Sequence, residues 1–264
     1  MTILKIHNPF NAPVYHEEIL SSTMEISRSL AAEGAAHGTV ITADFQTTGR
    51  GRIRSRVWEA EEEKGLLFTI MLRYPDIQNI PAAVTLRTGL AVALAIEDFA
   101  PSLLGTVTVK WPNDIMIGSK KAVGILCEAD GGNLHIGIGI NVAQKDFSGV
   151  LKEKAGSIAA AAGRDIAPAD RFLLLEKTLA RLYTELETEK GKTWKSRLEK
   201  RLYKKGEQVA FIEGAADSGK KITGCLSGIG EGGELLIVPD GETQALSFIT
   251  GELMTGYNNK NMLH

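Results

Sequence analysis

The segment Thr106 to Val142 constrains the fold more than any other part of this 264-residue chain. It is a succession of short apolar runs cut by turn signals. Thr106-Val107-Thr108-Val109-Lys110-Trp111 alternates as a half-buried strand does, then stops at Pro112-Asn113-Asp114. Proline presets φ, and asparagine and aspartate accept turn conformations, so the chain must reverse there. Ile115 to Ile117 returns and Gly118-Ser119 turns again. Lys121 to Glu128 and Leu134 to Val142 pair across Asp130-Gly131-Gly132-Asn133 as a hairpin. Upstream, Thr39 to Phe45 reads as a β-branched strand, and Leu66 to Tyr74 as another with Leu66, Phe68, Ile70 and Leu72 on one side. Val14 to Leu20 is a weaker strand signal, interrupted by Glu17 and Glu18.

Helical signals lie around these strands. Ser21-Ser22-Thr23 offers hydroxyls to cap free backbone N–H groups, and Glu25 stands at capping-box spacing from Ser22. Ile26, Leu30 and Ala31 supply the apolar face, and Gly34 is the stop. Pro81 to Phe99 reads as a long apolar helix with Pro81 in its first turn. Arg87, Glu97 and Asp98 interrupt it, so it is not a membrane span. Phe172, Leu175, Leu179, Leu182 and Leu186 recur at helical spacing within Pro168 to Leu186, and a further helical piece covers Trp194 to Leu202. Beyond Lys204 the pattern changes to short apolar runs with Gly-rich turns: Gln208–Ile212, Ile222–Leu226, Glu234–Val238 and Thr243–Phe248. Even spacing of short strands predicts a small barrel. The expected division is 1–202 and 203–264, the second part ending in a frayed tail from Gly256.

Thr48-Gly49-Arg50-Gly51-Arg52-Ile53-Arg54-Ser55-Arg56-Val57-Trp58 joins the strand at Thr39 to the strand at Leu66. Taken alone, this run fits a solvated loop, a nucleic-acid patch or a loop closing over a small anion. Net charge argues against the second: 30 basic side chains against 32 acidic ones give −2, not the broad basic footprint of a polyanion binder. Two cysteines, Cys127 and Cys225, make neither a disulfide framework nor a metal spacing, which points to a reducing cytoplasm. The five histidines build no ligand pair, and Met1 to Asn11 lacks the apolar core of a signal peptide.

Two glycine-rich segments are decoys. Gly214 to Lys221 nearly matches a P-loop, but Lys221 stands where serine or threonine belongs and a strand follows where a helix is required. Gly228 to Gly233 matches a dinucleotide fingerprint yet also leads into a strand, so it is a hairpin turn. The informative constellation lies elsewhere. Lys110-Trp111-Pro112-Asn113-Asp114, Lys121-Ala122-Val123-Gly124-Ile125-Leu126 and Gly137-Ile138-Gly139-Ile140-Asn141 put cations and amides at the ends of neighbouring strands. Singly, each is better read as structural; together with the arginine loop they describe a site.

With these motifs in order from about Ser21 to Asn141, and Gly251-Glu252-Leu253 near the end, the chain resembles the biotin–protein ligases. The resemblance implies an α+β fold: a mixed-sheet catalytic domain of the biotin/lipoate ligase type, then a small SH3-like β-barrel. It also implies the form without an N-terminal DNA-binding domain. The implied reaction is ATP-dependent attachment of biotin to a lysine of a biotin carboxyl carrier protein through biotinyl-5′-AMP. Magnesium would accompany ATP, with ligands that the sequence does not assign, and no tightly bound prosthetic group is expected. Neither DNA nor membrane is implied as a partner, and a homodimer is admitted. Carried over position by position, Lys110 and Arg52 are the catalytic candidates. Ser22, Thr23, Gln46, Gly49, Arg50 and Lys110 would hold biotin. Arg52, Arg56, Trp58, Asn113, Lys121 and Asn141 would hold the nucleotide, with Trp58 stacked on adenine. Arg54 and Arg56 compete for one role, because this loop is longer and less glycine-rich than the family's usual run. Met24 stands where the common pattern has a polar amide, which bears on substrate preference. A biotin or nucleotide sensor without turnover, and a lipoate or other acyl ligase, are the alternative readings.

Overall fold

The computed structural model describes residues 1–52, 58, 61–188, 193–214 and 219–254. The first strands are β1 (Thr2–Ile3) and β2 (Val14–Leu20), followed by helix α1 (Thr23–Ala32), β3 (Thr39–Gln46) and β4 (Gly65–Arg73). Helix α2 (Val84–Phe99) leads to β5 (Val107–Lys110), β6 (Asp114–Ile117), β7 (Lys120–Asp130) and β8 (Asn133–Asn141). Three helices come next: α3 (Ile158–Ala162), α4 (Asp170–Tyr183) with a π-helical extension over Thr184–Thr188, and α5 (Trp194–Glu199). The last strands are β9 (Gln208–Glu213), β10 (Lys220–Ile229), β11 (Leu235–Pro239), β12 (Leu246–Phe248) and β13 (Gly251–Leu253).

Strands β1 to β8 form one mixed sheet in the order β1-β2-β3-β4-β8-β7-β6-β5, in which only β2 and β3 run parallel. Strand β4 lies at its centre and is apolar on both faces. Leu66, Phe68, Ile70 and Leu72 join the core shared with α2 and α4. Leu67, Thr69 and Met71 face the opposite side, where α1 packs. Fully burying each such apolar side chain contributes about 1.5–3 kcal/mol. These central positions therefore hold the frame on which the cleft is built.

One expectation needs correcting, and one helix had not been expected. Helix α2 starts at Val84, not at Pro81, because Asp76 first caps a 3₁₀ turn over Ile77–Asn79 and Ala83 takes a left-handed φ of 54°. Helix α3 has no apolar periodicity to reveal it. Its signals are Ser157, whose hydroxyl accepts from Ala160 N (3.1 Å), and Gly163, which ends it at φ 64°. Strands β9 to β13 make an antiparallel sheet in the order β12-β11-β10-β9-β13. Among the described residues nothing pairs its two edges, so the sheet fits an SH3-like domain without closing into a barrel.

Both glycine-rich decoys lead into strands, β10 and β11, rather than helices; residues 215–218 of the first lie outside the described residues. Trp111 ties the two sheets together: its Nε1 donates to Gly233 O (3.0 Å), and its ring packs edge-on against Phe211 (5.9 Å). No described helix is long and apolar enough to cross a membrane.

Candidate active site

A cleft with about 710 Å³ of empty space, its open mouth included, lies between the start of α1, the end of β3 and the glycine face of β7 and β8. Strands β2 and β3 run parallel, so both release their chains at one end of the sheet. Thr47 N and Thr48 N donate to Leu20 O and Ser21 O, which carries the pairing past the strand ends. Ser22 and Gln46 are thereby set side by side.

The cap of α1 differs from the sequence expectation. Ser22 is extended (φ −160°), but its hydroxyl makes no cap bond. Glu25 instead accepts from Ser21 Oγ (3.0 Å). The free helical N–H of Thr23 goes to Gln46 Oε1 at 2.7 Å, and Thr23 Oγ1 donates to the same oxygen at 3.0 Å. Ser22 and Thr23 are each only 3 % exposed, so both hydroxyls belong to the cleft wall rather than to a solvated helix end.

The floor is made by absence of side chains. A Cβ on Gly139 would stand 2.6 Å from Trp58 Cε2, one on Gly124 2.8 Å from Trp58 Cζ3, and one on Gly137 3.0 Å from Met24 Sδ. Only glycine admits the indole and the thioether so close to the sheet. The opening of the arginine loop is closed at its base by Trp58 N donating to Gly49 O (3.2 Å). Trp58 Nε1 is buried and has no hydrogen-bond partner among the described residues. Lys121 Nζ lies 5.7 Å from the Trp58 ring centroid and 2.6 Å from Asp114 Oδ1. A cation over an aromatic face, braced by a carboxylate, is held in place yet available to an anion.

Of the residues named from sequence, Ser22, Thr23, Gln46, Arg50, Arg52, Trp58, Asn113 and Lys121 line this cleft. Gly49 stands at its edge, within ordinary contact of Gln46 Nε2. Arg50 Nη2 bonds Glu25 Oε1 (2.8 Å), and Arg52 Nη2 donates to Gly251 O in β13 (3.2 Å). Asn113 Nδ2 donates to Ile125 O (2.8 Å) and so braces β7.

Besides Gly49, two named and described residues are not in the lining. Lys110, on the edge strand β5, is 5 % exposed and separated from the glycine floor by the register partner Asp114. Among the described residues the lysine in the lining is Lys121 on β7, beside the register shift between Ile115 and Met116. Asn141 is 5 % exposed and spends its Nδ2 on Gly156 O (3.0 Å). Arg54 and Arg56, with the choice between them, lie outside the described residues.

Sequence reasoning missed the rim pairs and one residue behind the cleft wall. Arg28 pairs with Glu128 across the mouth, beside Arg50 and Glu25. Thr69, fully buried in β4, donates to Thr23 Oγ1 at 2.9 Å. Its signal was visible: one hydroxyl in the otherwise apolar run Leu66 to Leu72. Cys127 and His135, each with shifted titration, lie outside the cleft lining. Burial pushes the Cys127 thiol up to about 11, so it stays protonated. Burial likewise lowers the His135 imidazole, against the opposing pull of Asp130; His135 Nδ1 meets Ser27 Oγ at 2.7 Å beneath α1. Among the described residues no cluster of three acidic, histidine or cysteine groups is placed to hold a metal.

Comparison with known proteins matches residues 17–144 to the biotin/lipoate A/B protein ligase family. The bifunctional ligase/repressor BirA of Bacillus subtilis is 45 % identical over 163 residues, covering 58 % of this chain and 48 % of that protein. The biotin–[acetyl-CoA-carboxylase] ligase of Paracoccus denitrificans is 28 % identical over 217 residues, covering 78 % and 86 %. The chain spans about half the length of the first curated relatives it matches. Among solved structures, the biotin protein ligase of Aquifex aeolicus in complex with biotin and ATP superimposes with a TM-score of 0.75 at 30 % identity, covering 91 % of this chain and 97 % of that one. Matching family model, near-complete structural coverage and the loop-and-glycine cleft agree: this chain belongs to the biotin protein ligase family.

Proposed function

We propose that this protein activates biotin with ATP and transfers it to a lysine of a biotin carboxyl carrier protein. One observation carries the reading: a single cleft joins a hydroxyl-and-amide end (Ser22, Thr23, Gln46) to a cationic end (Arg50, Arg52, Lys121) across a glycine floor. A ligand with a polar ring at one end and a carboxylate at the other fits that polarity. The Aquifex aeolicus structure described as holding biotin and ATP supports the assignment of both ligands.

In the first step a biotin carboxylate oxygen attacks the α-phosphorus of ATP, and the bond to pyrophosphate breaks. Negative charge builds on phosphoryl oxygens, where fixed cations in a water-poor cleft are most effective. Lys121, rather than Lys110, is the residue we assign to carboxylate and phosphate, since it lines the cleft. Arg50 and Arg52 supply planar forks for the same oxygens. In the second step the carrier's lysine amine attacks the acyl carbon and AMP leaves. Trp58 would shield the mixed anhydride from water and share its face with the adenine, while Asn113 keeps β7 in register. Magnesium would enter with ATP as its counter-ion. Residues 1–202 are the catalytic unit in this reading and 203–264 the SH3-like one, the second sheet starting at Gln208. The two free cysteines suit a reducing cytoplasm.

The test is biotin-dependent ATP–pyrophosphate exchange, with lipoate and octanoate in parallel. Exchange with biotin alone is expected. Exchange with another acid moves the substrate and points to Met24. Tight biotin binding without exchange would replace the ligase by a sensor.

A further inference from the structure

Thr69 has no part in the roles carried over from the sequence, yet it begins a complete chain of hydrogen bonds into the cleft. The direction of that chain follows from donor counting alone. Thr23 N is a backbone donor, so the Gln46 atom 2.7 Å away is the amide oxygen. Thr23 Oγ1, 3.0 Å from that oxygen, must spend its only proton on it. Thr23 Oγ1 therefore accepts at its other contact, and Thr69 Oγ1, 2.9 Å away, is the donor. The relay runs from Thr69 to Thr23 to Gln46. It occupies both lone pairs of Gln46 Oε1 and leaves the two Nε2 hydrogens as what Gln46 can still offer. Nε2 lies on the side of Gly49, 3.5 Å from where a Cβ there would stand.

The register explains why only Thr69 can play this part. Thr69 pairs with Gly137 on β8 and Ile41 on β3. On its α1-facing side, its β4 neighbours Leu67 and Met71 are apolar. Gly137, without a side chain, leaves the start of α1 free to settle onto the hydroxyl.

We propose that Thr69 is a positioning residue that locks the Gln46 amide with its N–H groups turned to the ligand, so that the site selects a ring with a carbonyl oxygen at that point. Under the functional reading above, on which this rests, that oxygen is the carbonyl of a cyclic urea. A ring presenting only N–H donors there meets donors and is rejected.

The experiment is biotin binding by calorimetry plus steady-state exchange for wild type, Thr69→Val and Thr69→Ser. Valine keeps the β-branched shape and removes the donor; serine keeps the donor. Thr69→Val is expected to weaken biotin binding and raise KM for biotin about 3- to 10-fold, the worth of one net hydrogen bond, with kcat and KM for ATP unchanged. Thr69→Ser is expected to restore most of the loss. Unchanged biotin affinity in Thr69→Val, or parallel loss for biotin and ATP in both variants, would overturn the relay alone. Failure of wild type to bind biotin would overturn the functional reading and the ligand choice with it.

Discussion

Gly139→Ala tests the glycine floor directly. The added Cβ would lie 2.6 Å from Trp58 Cε2, 2.9 Å from Nε1 and 3.0 Å from Cδ2. Ordinary contact begins near 3.4 Å, so the indole must retreat by about 1 Å. The strand itself has little reason to move, since Gly139 pairs in register with Leu67 and Gly124 at the middle of the sheet. Folding should therefore change by less than about 1 kcal/mol, because the displaced ring sits on a loop rather than in the core. Activity should change far more: a misplacement of about 1 Å at a reacting site costs on the order of 10²-fold. The assay is ATP–pyrophosphate exchange beside acrylamide quenching of tryptophan fluorescence. Of the three tryptophans, Trp111 and Trp194 are 3 % and 6 % exposed, so a change in quenching reports Trp58. Gly139→Ala should raise quenching. It should also couple to Trp58→Ala in a double-mutant cycle by about 0.5–3 kcal/mol in the free energy of activation. Exchange within about threefold of wild type, with quenching unaltered, would refute the packing of Trp58 on this strip.

Further expectations follow from the same geometry. Lys121→Met should slow single-turnover adenylation by about 10²-fold or more, and Lys110→Met should slow it far less. Equal losses at both positions would return Lys110 to the mechanism. Asn141→Ala frees Gly156 O, whose residue also donates its N–H to Lys121 O (2.9 Å). It should cost about 1–3 kcal/mol in urea unfolding, and an unchanged midpoint would show that the tether is idle. His135 has a pKa lowered below its ordinary 6.5 by burial, so the unfolded chain binds the proton more readily. Its contribution is fully present above pH 6.5 and is lost as pH falls through 6.5 toward the folded-state value. Chemical denaturation of His135→Gln against wild type between pH 8 and pH 5 should show a shallower acid loss in the variant, and parallel curves would exclude His135 as the group responsible.

Much of this protein was legible in the chain itself. Alternation and turn residues settled the hairpins from Val107 to Asn141, because side-chain period and Gly or Pro chemistry are local properties. The same locality announced the arginine loop, the two glycines of β8 and the lysine of β7. Tertiary structure decided three things that no local pattern contains. The first is the surroundings of the lysines: Lys121 lines the cleft beside a register shift between β6 and β7, and such shifts arise from pairing between strands. The second is what caps α1. Ser22 has the right residue type, but Gln46, 23 positions past Thr23 in sequence, reaches the N–H across a parallel strand pair. The third is the role of Thr69, a buried hydroxyl whose meaning depends wholly on partners contributed by α1 and β3. Residue chemistry set what these groups can donate or accept, and long-range register alone determined with whom.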